Sequence, residues 1–149
     1  HSLIWFKAEC GSFTAAWRLL WAARKLYPAY GGPRHTLKLF WLEGRVAAGQ
    51  RHAGRAERCF RKAREGFLAM KLPYAAALVA MDLGILLLER GRTAEARDLI
   101  EETLETFNIL RIRREAVGAV ILLTQAAQQD QLTIAVLRRA AAELQKIER

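Results

Sequence analysis

Apolar and small residues recur along this chain at helical spacing, and the pattern returns after about forty positions. Ala56, Phe60, Ala63 and Phe67 fall at i, i+4, i+7 and i+11. Ala96, Leu99, Ile100, Thr103, Leu104 and Phe107 do likewise. In both segments one stripe is apolar and the opposite one charged, which predicts helices that bury one face and leave the other in water. Residues Ala75 to Leu88 differ. They are apolar almost all round, as expected of a helix enclosed by neighbours on both sides. Breakers divide the chain further: Gly11, Pro28, the Gly31-Gly32-Pro33 run, Gly49-Gln50-Arg51 and Gly91. Pro73 suits a first helical turn, where its missing N–H is not needed. Thr93 and Asp130 are expected N-caps. The result is eight predicted helices, at 2–10, 12–28, 34–49, 53–70, 73–90, 93–109, 112–128 and 131–148.

Small residues sit at matching places in successive helix pairs. The clearest sets are Gly44 with Ala56, Phe60 and Ala63, and Gly84 with Ala96, Ile100 and Thr103. An earlier copy is Gly11, Ala16, Leu20 and Ala23, and Ala16, Ala56 and Ala96 are evenly spaced. Small side chains there let paired helix backbones approach closely. A period of this length signals an array of stacked helix pairs.

These positions resemble the tetratricopeptide repeat. The resemblance covers residues 10–110 strongly and the rest by continuation. It departs from the family in its longer unit, in the missing proline after each second helix, and in Ile100 and Thr103 at positions the family fills otherwise. In the last pair Thr124 and Val136 stand at the small positions. The strings Trp41 to Val46 and Leu86 to Glu95 are similar to the closing repeats of long bacterial members. The chain opens on His1 inside an apolar segment and is read as a piece of a longer protein. The resemblance implies an all-α, right-handed solenoid of about four antiparallel helix pairs, at 1–30, 34–70, 73–110 and 112–148, in one domain spanning 1–149. It also implies a non-catalytic scaffold that holds a peptide, a partner domain or another part of its own parent chain in a concave groove. Carried across by position, that groove takes in Trp5, Lys38, Trp41, Arg45, Met81, Ile85, Leu88, Gly118, Ile121 and Gln125. Such a mixture suits an apolar anchor beside an acidic group, with Arg45 able to grip a carboxylate in two-pronged fashion. Packing between repeats competes for Trp41, Met81 and Ile85. Asp82, a carboxylate inside an apolar run, is expected to be paired, with Arg45 the candidate partner.

Charge adds a second candidate surface. The net charge of +9 is confined to residues 1–70, which hold 13 Lys/Arg against 4 acids, while residues 71–149 hold 11 of each. Arg51, Arg55, Arg58 and Lys62 form a stripe at i, i+4, i+7 and i+11, flanked by Arg61 and Arg64 and opposite the Ala56–Phe60–Phe67 face. Such a stripe is a candidate for phosphate backbones or an acidic protein surface, which makes a nucleic-acid-binding or regulatory effector the alternative function. The stripe has no aromatic residues interleaved for base stacking. Glu95, Asp98, Glu101, Glu102 and Glu105 on the next such helix are expected to balance it in part.

Other chemistry is not signalled. His1, His35 and His52 have no partner at metal-ligand spacing, Cys10 and Cys59 form no framework, and Ser2 and Ser12 sit in no nucleophile elbow. No catalytic residue, metal or cofactor is expected. No apolar run is long enough to cross a bilayer, and two cysteines without a framework suit a reducing, cytoplasmic setting. Leu3, Ile4, Trp5 and Phe6 form an apolar end open to self-association.

Overall fold

A computed structural model describes the backbone of residues 4, 7, 10–109, 117–128 and 131–148, and the side chains of all of these except 27–30, 108, 109, 117, 118, 120, 121, 124, 125 and 148. Among the described residues every regular element is a helix. They are α1 (Phe13–Tyr30), α2 (Pro33–Gly49), α3 (Ala53–Ala69), α4 (Pro73–Glu89), α5 (Thr93–Ile109), α6 (Val117–Gln128) and α7 (Ile134–Glu148). The chain is therefore all-α over this range. It falls into two compact units, residues 1–70 and 71–149. The division coincides with the break in charge: the whole excess of nine positive charges lies in the first unit.

The helices α2 to α5 are each 17 residues long. Their starts at Pro33, Ala53, Pro73 and Thr93 leave three-residue links. The backbone explains how such short links turn the chain. After α2, the Arg51 N–H donates to the Ala48 carbonyl and the His52 N–H to the Ala47 carbonyl. After α4, Gly91 and Arg92 donate in the same way to Leu88 and Leu87. This paired closure satisfies carbonyls at the helix end and requires a left-handed residue at its centre. Gly91 supplies it with φ +72°, but Arg51 with φ 61° and Lys71 with φ 57° adopt it without glycine's freedom. A side chain in that conformation costs about 1–2 kcal/mol. Arg51→Gly is therefore expected to stabilise the first unit by about 1 kcal/mol, after glycine's extra unfolded-state entropy is subtracted. Thermal unfolding followed by circular dichroism should show a rise of about 3 °C.

Several boundaries differ from expectation for local reasons. Helix α1 continues two residues past Pro28 instead of stopping there, since proline removes a single bond from a last turn that is ending anyway. Thr93 is the first residue of α5, and Arg92 occupies the cap position, with its guanidinium on Glu95. Helix α7 begins at Ile134, and Thr133 caps it by accepting the Val136 N–H at 3.3 Å. Asp130, the expected cap, lies outside the described residues, as do residues 112–116.

In the first unit α2 packs against both α1 and α3. Leu39, Leu42 and Val46 of α2 meet Ala16 and Leu20 of α1, together with Ile4, in one buried cluster. Glycines set the close approaches. A Cβ on Gly44 of α2 would lie 2.6 Å from the Phe60 ring of α3, and one on Gly66 of α3 would lie 2.2 Å from Leu37 of α2. Each helix of this hairpin thus gives the other one glycine and receives one large side chain. Phe13 of α1 seats on Gly49 in the same way.

In the second unit α4 packs against α5 and α7, and both of those pack against α6, so the four helices close a ring. The α4–α7 contact goes beyond the pair-on-next-pair stacking expected from the repeat. Its cause is the all-round apolar character of α4, buried continuously from Ala75 to Met81 and again at Leu83, Gly84, Leu86 and Leu87. One amphipathic partner covers one side only. Helix α7 covers another with Leu137, Ala140 and Leu144, all fully buried at i, i+3 and i+7. Gly84 faces this contact, since a Cβ there would lie 2.8 Å from Leu137. Buried Thr103 satisfies its own hydroxyl by donating to the Leu99 carbonyl at 2.8 Å, which is how a polar group takes a position otherwise filled by a small apolar one.

Candidate functional site

The first unit carries two distinct faces on α2. At 100° per residue, Lys38, Trp41 and Arg45 share one side, and Phe40 and Glu43 project from the opposite one.

On the first side Lys38 and Arg45 are half-buried. Trp41 is buried and meets the Phe67 ring of α3 edge-on, with centroids 6.4 Å apart. That contact is a packing role, while Lys38 and Arg45 on the same side of α2 keep part of their surface in water. In the second unit Met81 is fully buried and fills core space instead of lining a groove, whereas Ile85, Leu88 and Asp82 are half-buried. Trp5 lies outside the described residues. Gly118, Ile121 and Gln125 lie on α6, but their side chains are outside the described set.

The opposite side holds an arrangement that sequence spacing does not reveal. Glu43 is only 5% exposed, yet it is a carboxylate. Arg55 of α3 donates to its Oε1 from both Nε, at 3.0 Å, and Nη2, at 2.7 Å. Arg24 of α1 reaches Oε2 at 3.4 Å. The buried acid thus pins three helices together, as a buried charge requires if it is not to stand uncompensated. Aromatic rings complete the layer. The Arg55 guanidinium lies 4.4 Å over Trp17, and Lys62 Nζ lies 4.2 Å over Phe40. Arg24 stands 6.0 Å from the same Phe40 ring. Trp17 in turn meets Trp21 edge-on at 6.5 Å.

These contacts divide the basic stripe. Arg55, its side chain 38% exposed, turns onto Glu43 and Trp17. Arg61 pairs with Glu57 at 2.8 Å within α3. Arg51, Arg58 and Lys62 are exposed. The aromatic residues missing from the stripe come from neighbouring helices, where a one-dimensional reading cannot place them. The signals that could have found the cluster are a lone acid, Glu43, at an apolar position, and cations at helical spacing on both flanking helices.

Cys59 lies buried beside this cluster, with its Cβ 3.2 Å from where a Gly44 Cβ would be. Its thiol is pushed up from 9.0 to about 11, first by burial and then by the Glu43 carboxylate, against the opposing pull of Arg55, Arg24 and Arg58. The folded state therefore holds the neutral thiol. The stabilisation this gives is complete below about pH 9 and is lost as pH rises toward 11. Maleimide at about pH 7 should modify exposed Cys10 rapidly and Cys59 only on unfolding, as mass spectrometry of the labelled chain will read.

Among the described residues no group of three or more His, Cys, Asp or Glu is placed to hold a metal ion, and no helix is long and apolar enough to cross a membrane. In comparisons with protein-family models, curated proteins and solved structures, nothing matches this chain.

Proposed function

We propose that this chain is a non-catalytic interaction scaffold of the tetratricopeptide kind, a right-handed stack of helix hairpins that holds an acidic peptide or partner segment. The observation that carries the reading is the side of α2 bearing Lys38, Trp41 and Arg45. Two half-buried cations flank a tryptophan whose ring is braced by Phe67. Cations held at the edge of that packed tryptophan suit a short acidic segment whose carboxylates they would grip. The repeated hairpin geometry supports the same reading. Within the first unit, two 17-residue helices joined by a three-residue link and set close by Gly44 and Gly66 support such a surface.

The test is selection of binders from a random peptide library displayed on phage, followed by titration of the selected peptides. Selected sequences should be rich in Asp and Glu beside a large apolar residue. The Lys38→Glu/Arg45→Glu double variant should weaken them by about 10-fold or more with helicity unchanged, as loss of two charge-assisted contacts implies. Trp41→Phe should weaken them less. Equal binding by the double variant would remove this face from consideration.

A further inference from the structure

The cation–aromatic layer on the other side of α2 goes beyond the peptide-binding reading and stands apart from it. We propose that this face of the first unit binds single-stranded nucleic acid, with a base stacked on Trp21 and phosphates held by Arg18, Lys25, Arg58 and Lys62.

Four observations lead there. First, rings and cations form one connected strip across three helices: Trp21 against Trp17, Trp17 under Arg55, and Lys62 over the Phe40 ring that Arg24 approaches from the other flank. Second, Trp21 ends that strip half open. It is 50% exposed, so ring surface remains for a planar ligand. Third, exposed cations flank the ring. At 100° per residue Arg18 and Lys25 lie within about 60° of Trp21 around α1, and both are exposed. Arg58, beside Lys62 on α3, is exposed at the other end. Fourth, the local charge is one-sided. Glu43, the acid within the strip, is buried and already engaged by Arg55 and Arg24; Glu65 is the exposed acid on the Arg58 side of α3, and the first unit carries the whole net charge of +9.

The chemistry of the occupant follows. Cations alone fit any polyanion, but an open indole set among them adds a stacking platform, which pairs with unstacked bases. A duplex keeps its bases inside the stack and would leave that ring unused. An anionic bilayer needs an apolar helix face to insert, and the apolar stripe of α1, Ala16 with Leu20, is already buried in the core. Among the described side chains of that helix, Trp21 and Leu26 are the large exposed apolar groups.

The experiment is a fluorescence-anisotropy titration of the whole chain with a fluorescein-labelled oligothymidine of about 15 residues at about 50 mM salt. Binding should weaken steeply with salt, with a log–log slope of about −3 for four phosphate contacts on a single strand. Trp21→Ala should weaken the oligonucleotide about 10-fold and leave heparin, a polyanion without bases, unchanged, while Trp21→Phe should keep most of the affinity. Lys25→Glu/Arg58→Glu should weaken both ligands. Because Trp21, Lys25 and Arg58 are all exposed, the variants should match the parent in helicity. The proposal is overturned if no oligonucleotide binding occurs at low salt, if an abasic oligomer binds as well as oligothymidine, or if Trp21→Ala lowers heparin and oligonucleotide affinity alike. It is also overturned if phosphatidylglycerol vesicles bind at low salt and displace the oligonucleotide.

Discussion

Replacing Arg55 with Met should destabilise the first unit by about 2–3 kcal/mol, and replacing Glu43 with Gln by only about 1 kcal/mol. The inequality is the content of the prediction. Glu43 is the buried member of the pair, with a side chain 7% exposed against 38% for Arg55. Removing Arg55 leaves the carboxylate inside the protein with the longer Arg24 contact, at 3.4 Å and 43% exposed on the arginine side. An uncompensated buried charge costs about 3–5 kcal/mol where both partners are fully enclosed. The exposure of Arg55 lowers that figure through solvent screening. Loss of the stack on Trp17 adds about 0.5–1 kcal/mol. Removing Glu43 is milder because Arg55 and Arg24 can turn outward to water. The double variant Glu43→Gln/Arg55→Met should be more stable than Arg55→Met alone, since it leaves no stranded charge. Arg55→Lys separates the contributions by keeping a charge and losing the fork. Urea denaturation of the four variants and the parent measures all of this. A Glu43→Gln variant less stable than Arg55→Met would show that the carboxylate is not the group that depends on its partner.

The sequence displayed some parts of this molecule much more clearly than others. Helices were legible because the period of burial is local: Ala56, Phe60, Ala63 and Phe67 announce one face without reference to any other segment, and each is buried. Turns were legible where glycine marks them, as at Gly91, but less so at Arg51 and Lys71, where an ordinary side chain occupies the left-handed position. Which glycine meets which ring is a matter of packing in three dimensions. The Gly44–Phe60 pairing fits the repeat, whereas the approach of Leu137 to Gly84 follows from the need of α4 for cover on every side. Charge misled for a related reason. Helical spacing sorted Arg55 with Arg51, Arg58 and Lys62, because spacing within one helix cannot register a lone carboxylate on the neighbouring one. The layer of Trp17, Phe40, Glu43 and Arg55 draws on three helices; within one helix the sign of it is Glu43 at an apolar position, and its partners come from the other two.

Gly44→Ala should lower the stability of the first unit by about 1–2 kcal/mol, although alanine is the better helix former. In an exposed helix interior the change would stabilise by about 0.5–1 kcal/mol. Here the added methyl would sit 2.6 Å from two carbons of Phe60 and 3.2 Å from the Cβ of Cys59. Neither neighbour has room to yield, since Phe60 is almost fully buried and Cys59 is enclosed beside Glu43. Relief requires α2 and α3 to separate, and forcing an extra carbon into a packed core costs about 1–3 kcal/mol. The separation also loosens the Arg55–Glu43 fork, which bridges the same two helices next to the glycine. Shrinking the obstacle tests the cause. Phe60→Leu alone should destabilise by leaving a gap, but combined with Gly44→Ala it should do less harm than the two separate losses added together. Gly54→Ala, where only the Arg58 side chain lies within reach at 3.8 Å, is the control and should be neutral or stabilising. A Gly44→Ala variant as stable as the parent would mean that these helices do not depend on glycine for their approach, and the close-packed hairpin proposed as the support for ligand binding would lose its physical basis.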